Sequence, residues 1–463
     1  MLKRNIYLDN AIRLYRSIDI FLIVFLLFFT MDMVVIKPIV LIAALIWLKG
    51  KISIKNLNGY PLFYLFIPLI EVFRFCFFNG DFSKGHAVSF SLGISYWLMS
   101  LIAFLIVKNR VDKCDSDKTD NSLRIFFYIN LACTLLNLLI AVLRSHSLNP
   151  YGSEAMAFGN STGDYMKGVF LGPSYINMFV NSFYAFYFLH KKRYWLVPLA
   201  AFAACLTGSN FANLFFIPML ILAFFIIKDR KSKIVITVSL LVFAMFYIVI
   251  SKGNRNYIID SILNDKKKDR MENVSRLSRH AGHKGLPPGN VSGSFKYGKV
   301  LSFKETLDYL GTSLPHFLFG AGIGNFSSQL AVRTSDISTI KKSRLFRMMP
   351  VYVSTDFYNN HYQIFHTLYS MPPEYHSVKH QPNSFLNQLF GEYGFIGFLL
   401  FLLFYVFFFL RDYKKLSYSL YIMALLGGYL LFDYLFEYLS VVLFFELFFL
   451  LDKKSNSLNK ALV

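Results

Sequence analysis

The side chains with the most chemistry to offer crowd one segment. Seven of the ten histidines (His280, His283, His316, His361, His366, His376 and His380) fall between residues 252 and 383, with 18 Lys and Arg against nine Asp and Glu. Imidazole exchanges protons near neutral pH, and clustered guanidinium and ammonium groups bind polyanionic headgroups such as a lipid diphosphate. The plainer alternative is a solvated basic face, which is the better account of Lys266–Lys268. Other patterns lead nowhere. Asp115-Ser-Asp117 has the Asp-x-Asp form of a metal-dependent sugar transferase, but sits in a short charged linker with Lys113 and Lys118. Gly320-Ala-Gly322-Ile-Gly324 lacks the preceding strand and the third spacing of a dinucleotide fingerprint. His376 and His380, at i, i+4, could ligate zinc with His361 or His366, yet no HExxH accompanies them. Neither metal nor cofactor is expected. Cys76, Cys114, Cys133 and Cys205 form no CxxC and no disulfide framework.

What must position this segment is a membrane scaffold. The 463 residues are 55% hydrophobic and only 16% charged, against about a quarter charged in soluble domains. The 52 Phe and 29 Tyr exceed the needs of a soluble core and suit hydrocarbon and headgroup belts. A spanning helix needs about 20 mainly apolar residues. Twelve stretches qualify: 12–30, 33–48, 59–78, 87–107, 123–143, 171–189, 194–208, 211–227, 234–251, 384–410, 416–431 and 435–451. The pair 194–227 reads either as a hairpin or as one long kinked span. The fold class is therefore an all-α polytopic integral membrane protein with about 12 transmembrane helices and one large, partly helical extracytoplasmic loop.

The net charge of +21 does not point to nucleic acid, because it is distributed by topology. Alternate loops carry Lys49/Lys51/Lys55, Lys108/Arg110/Lys113/Lys118, Lys191/Lys192/Arg193, Lys228/Arg230/Lys231/Lys233, Arg411/Lys414/Lys415 and Lys453/Lys454. The intervening short loops hold few. Positively charged loops stay cytoplasmic, so both termini are expected inside and residues 252–383 outside. The first apolar run has no small-residue cleavage site and reads as a retained anchor. The chain divides into residues 1–251 with nine spans, the loop 252–383 carrying the site, and residues 384–463 with three spans and a cytoplasmic tail. Within the spans, Glu71 and Arg74 at i, i+3 read as a neutralising pair, and Asp433 and Glu437 as the outer turn of the last hairpin.

Four short motifs carry a family resemblance. The first is Lys379-His380-Gln381-Pro-Asn383 followed by Gly391-Glu392-Tyr-Gly394 at the opening of an apolar helix. Upstream are Phe319-Gly320-Ala-Gly322-Ile-Gly324-Asn325-Phe326 after an amphipathic stretch over 299–319, Leu206-Thr-Gly208-Ser209-Asn210, and Gly168-Val-Phe170-Leu-Gly172-Pro173. Over residues 165–410 the chain resembles the O-antigen polymerase and ligase family, within the C-type glycosyltransferase superfamily.

That resemblance implies a glycosyltransferase of the bacterial inner membrane, with its large loop periplasmic, using a donor linked to undecaprenyl diphosphate. His380 would be the general base. Lys299, Arg276, Arg279 and Arg144 would hold the diphosphate without a metal, and Glu392 and Asn383 would position substrate. Two registers of the glycine motif are open, one placing His380 and the other Asn383 in the histidine position. Asn cannot take a proton at neutral pH, which favours His380. Asn210 stands where the family has Arg, and Lys299 where it often has a second Arg. The leading expectation is a polymerase adding glycan to a lipid-linked repeat unit. The alternatives are a ligase acting on lipid A-core and, in another class, a transporter or flippase, against which the absence of an internal repeat argues. A chain-length regulator stays open as a partner.

Overall fold

The computed structural model describes residues 17–33, 35–48, 61–78, 83–151, 162–209, 211–250, 298–335, 337, 349–370 and 381–461. Among them every regular element is helical: α1 Ile20–Thr30, α2 Ile36–Trp47, α3 Phe63–Phe78, α4 Lys84–Lys113, α5 Ser116–Ser145, α6 Ser174–His190, α7 Leu196–Leu206, α8 Ile217–Ile226, α9 Arg230–Val249, α10 Gly298–Leu310, α11 Leu314–Phe319, α12 Gln329–Thr334, α13 Gln363–Ser370, α14 Phe385–Phe401, α15 Ser419–Leu430 and α16 Leu439–Ala461. Four stretches are long and apolar enough to cross a bilayer, namely Lys84–Lys113, Ser116–Ser145, Arg230–Val249 and Phe385–Lys415. Shorter apolar helices, including α1, α2, α7 and α15, pack beside them. The starts are written in caps: Asp19, Ser83, Asp229 and Ser384 each accept a backbone N–H from the first turn of the helix that follows.

A helix apolar all round belongs inside a bundle. The side chains of α6 from Ile176 to Leu189 are buried, as are those of α16 from Leu439 to Asp452. By contrast α2 and α9 leave Ile39, Ile42, Ile46, Leu241, Met245 and Ile248 exposed, as lipid-facing helices do. Residues 194–227 form a hairpin. Tyr194, before α7, donates to Asp229, after α8, at 2.9 Å, and Gly208 turns the chain with φ +59°.

The basic loops gather at one end of the bundle. Asp19 pairs with Arg110 at 2.6 Å, Asp120 with Arg193 at 3.5 Å, and Lys453 with Asp412 at 2.6 Å. The Lys454 ammonium caps the carbonyls of Val111 and Cys114 at 2.6 Å. The other end carries the described part of the large loop. There Ile323 N–H meets Glu71, midway along α3, and α10 packs on α14.

Candidate functional site at the loop end of the bundle

Two glycine-bearing motifs some seventy residues apart in the sequence dock on one another. After α11 the chain turns through Gly320, Gly322 and Gly324, with φ of +67°, +89° and +71°. Within α14, Gly394 at φ +62° breaks the helical path. The break frees the carbonyls of Gly391 and Glu392 from their helical duty, and they accept the N–H groups of Ala321 (2.8 Å) and Gly322 (2.7 Å). A Cβ on Gly320 would lie 2.6 Å from the Glu392 carbonyl carbon, and one on Gly322 would collide with the Arg74 guanidinium. Left-handed backbone and close approach together require glycine here.

Two carboxylates brace the turn from below. Glu71 Oε2 accepts Ile323 N–H at 3.0 Å and Arg74 Nε–H at 3.4 Å. Glu392 accepts Phe326 N–H at 3.4 Å, together with Gly324 N–H and the Ser328 hydroxyl. Successive N–H groups pointing at an acid form a nest; here the acids come from the spans and the nest from the loop. The Glu71–Arg74 pair expected from the sequence is thus present, and it also holds the loop.

Beside the nest lies a small cavity lined by Tyr96, Trp97 and Ser100 of α4, Gln388, Glu392 and Tyr393 of α14, Ile323, Leu330, Phe436 and Glu437. Gln388 bridges its two carboxylates, donating Nε2–H to Glu437 at 2.9 Å and to Glu392 at 3.4 Å. Gln388 Oε1 has no partner among the described residues. Glu437 also accepts Gln329 N–H at 3.0 Å. The half-buried Arg333 of α12 bonds Tyr96 and lies in the field of Asp32, Glu437 and Tyr438. A fixed guanidinium, two bridged carboxylates and a ring of aromatic side chains therefore meet where the loop touches the bundle. Such a set can hold an anion and accept hydrogen bonds from hydroxyl groups.

Of the residues singled out in the sequence, Glu392 is in this chamber. Lys299 and Asn383 lie together behind it. The Lys299 ammonium donates to the carbonyls of Asn383 and Phe432, the latter at 3.2 Å. Burial pushes its pKa below the usual amine range and raises that of Asp433, while each charge draws the other's pKa partway back. Asn383 bonds the Asp433 carboxyl. This trio pins the start of α14 to the turn before α16, so the ammonium is spent on protein carbonyls. Arg144 is exposed at the end of α5, with its guanidinium over the Tyr165 ring. His380, Arg276 and Arg279 lie outside the described residues, as do His280, His283 and His376.

His361 and His316 are built into the loop. His361 is buried, with Nε2 at 2.9 Å from Ser302 Oγ, and Asn387 donates to the same hydroxyl at 2.6 Å. Burial drives the His361 pKa down to about 3, so it stands neutral. His316 bonds Thr312 and stacks on Tyr309. Among the described residues no three His, Cys, Asp or Glu side chains gather as metal ligands.

Arg333 and Tyr96 carry no signal in the sequence, and Glu437 reads there only as a turn marker. Gln388 had one available clue: with Glu392 it forms an i, i+4 polar pair at the mouth of an apolar helix, where polar side chains are costly. No family model matches this chain, and no curated protein or solved structure shows significant similarity to it.

Proposed function

We propose that the protein is a glycosyltransferase of the bacterial inner membrane that polymerises a surface polysaccharide. It moves a growing glycan from undecaprenyl diphosphate onto the sugar hydroxyl of an incoming lipid-linked repeat unit. In this step the hydroxyl oxygen bonds to the anomeric carbon and the anomeric carbon–oxygen bond to the diphosphate breaks. The bonding pair leaves with undecaprenyl diphosphate, and the hydroxyl proton passes to a base. The reading places the basic loops in the cytoplasm and the chamber on the periplasmic side, where lipid-linked sugars supply the donor.

The supporting observation is the chamber itself, in which the two glycine motifs close over Glu392 and set it beside Glu437 and Gln388, with Arg333 bonded to Tyr96 of its wall. Arg333, held by Tyr96 at the edge of the chamber, is the diphosphate contact in this reading. His380 is the base. The carboxylates and Gln388 Oε1 hold sugar hydroxyls. The transfer uses electrostatic stabilisation of the leaving diphosphate.

The test is the surface glycan of a strain lacking the protein, resolved by electrophoresis. The expected result is loss of the ladder, leaving single repeat units on the lipid core. Complementation with Arg333→Ala or His380→Ala, at parental protein level, leaves the ladder absent. A full ladder in the deletion strain overturns the proposal. Long polymer stranded on the carrier lipid would instead identify a ligase.

A further inference from the structure

The helices α10 and α11 turn a wet-looking segment into an apolar surface. On α10, Lys299, Ser302, Thr306, Tyr309 and Leu310 are buried toward the bundle. The opposite face shows Val300 and Leu307 to the outside, with Leu307 65% exposed. None of the α11 residues is buried, and Leu314 (69% exposed) and Phe317 stand open. A loop exposed only to water has no reason to expend three large aliphatic side chains and a phenyl ring in this way.

The patch does not stop at the loop. Phe317 stacks on Phe395 with ring centroids 5.4 Å apart and planes 11° apart. Phe395 and Leu399 of α14 begin an exposed stripe that continues through Leu402 and Leu403 to Phe407, in the helical stretch that runs on to Lys415. Those spacings follow one face of a helix that is long and apolar enough to cross a bilayer. The apolar surface of the loop and the lipid-facing stripe of the span therefore meet ring to ring.

We propose that α11 and the outer face of α10 are seated in the headgroup–acyl boundary of the lipid leaflet at this end of the bundle. The partner is the bilayer surface. Continuity with the α14 stripe selects it, because a soluble partner covering Leu314 and Phe317 would have to push into lipid to follow the patch past Phe395. Lys304, exposed between Val300 and Leu307, can lay its methylenes on this surface and carry its ammonium to the headgroups. α10 and α11 pack on α14, which carries Gln388 and Glu392, so this seating sets the chamber at headgroup depth. The inference stands on exposure and packing and does not rest on the proposed reaction.

Nitroxide labels on single cysteines at Leu307, Leu314, Phe317 and Asp308 test it. The full chain is used, with its four native cysteines replaced, in vesicles of phosphatidylcholine and phosphatidylglycerol. Collision with oxygen is expected to exceed collision with a water-soluble nickel chelate several-fold at Leu314 and Phe317, and to fall below it at the exposed Asp308. A second measurement uses Leu314→Trp in vesicles containing brominated lipid, where quenching should exceed that of the parent with Trp47, Trp97 and Trp195 alone. Preference for nickel at Leu314 equal to that at Asp308 overturns the proposal. Shielding of Leu314 from both reagents, or parental quenching in Leu314→Trp, overturns it too, since the patch would then be covered by protein, whether a second copy or another part of this chain.

Discussion

Replacing Glu392 by Ala should release the glycine turn from the bundle. The carboxylate accepts from Phe326 N–H, Gly324 N–H, the Ser328 hydroxyl and Gln388. The hydroxyl can rotate to another acceptor, and Gln388 keeps its shorter bond to Glu437 at 2.9 Å. The two backbone N–H groups have no such freedom, because Gly322 and Gly324 fix the turn. A buried donor stripped of its acceptor costs about 1–3 kcal/mol, so the variant should loosen the docked turn by about 2–6 kcal/mol. At about 1.4 kcal/mol per tenfold, the undocked population rises roughly 30-fold to 10⁴-fold. Docking is a local equilibrium, so global melting underreports it. Tryptic cleavage after Arg333, followed by fragment mass in detergent-solubilised protein, tracks the open population when reclosing outpaces cutting. Glu392→Gln retains an acceptor oxygen for the N–H groups and should cost only about 1–2 kcal/mol. Cleavage after Arg333 in Glu392→Ala at the parental rate would refute the bracing role. Equal acceleration in the Gln and Ala variants would show that the carboxylate charge, and not its acceptor geometry, holds the turn.

Gly322→Ala places a methyl group on the Arg74 guanidinium in a left-handed backbone. It should raise cleavage after Arg333 comparably to Glu392→Ala, whereas Gly427→Ala, with open space around its Cβ, should leave that rate unchanged. Lys299→Met strips the Asn383 and Phe432 carbonyls of their donor and leaves Asp433 without its cation. Each carbonyl left without its buried donor costs about 1–3 kcal/mol, seen as a lowered melting temperature in detergent that the added Asp433→Asn change, by removing the neighbouring buried acid, partly restores. His361, held neutral with a pKa of about 3 against an ordinary 6.5, contributes its full stability above pH 6.5. That stability drains away as pH falls toward 3, because the undocked state takes up a proton that the docked state refuses. The loss approaches about 1.4 kcal/mol per pH unit, so loop proteolysis by an acid-tolerant protease should steepen below pH 6.5 in the parent and flatten in His361→Gln.

The helical scaffold was legible because hydropathy and charge act residue by residue. A run of apolar side chains marks an apolar helix, four of them among the described residues long enough to cross a bilayer, and Lys191/Lys192/Arg193 and Arg411/Lys414/Lys415 mark loops that share one end of the bundle with Asp19 and Asp120. The glycines of both motifs were legible for a similar reason, since positive φ leaves few other choices at Gly320, Gly322, Gly324 and Gly394. What the sequence could not hold is the partner of each group. Lys299 and Arg333 are equally cationic on paper, yet one is buried against carbonyls and the other faces Tyr96 and Glu437. Burial, which decides whether a charge serves the fold or a ligand, belongs to the packed structure and leaves no local trace.

The chamber forms where buried N–H groups and buried acids meet. A polar turn cannot enter a lipid-facing bundle unless its N–H groups find acceptors, and Glu71 within α3 and Glu392 just before the break at Gly394 are the carboxylates placed to receive them. Once they are committed to the turn, Glu437 and Gln388 complete a buried polar set around Glu392, and Arg333 supplies the countercharge from the loop side. The acids that read as costly intrusions into apolar helices are what allow the loop to seat. Conversely, the nearby left-handed glycines are what allow α14 to turn its carbonyls outward. Neither motif can hold its geometry alone, so a functional reading of either has to include the other.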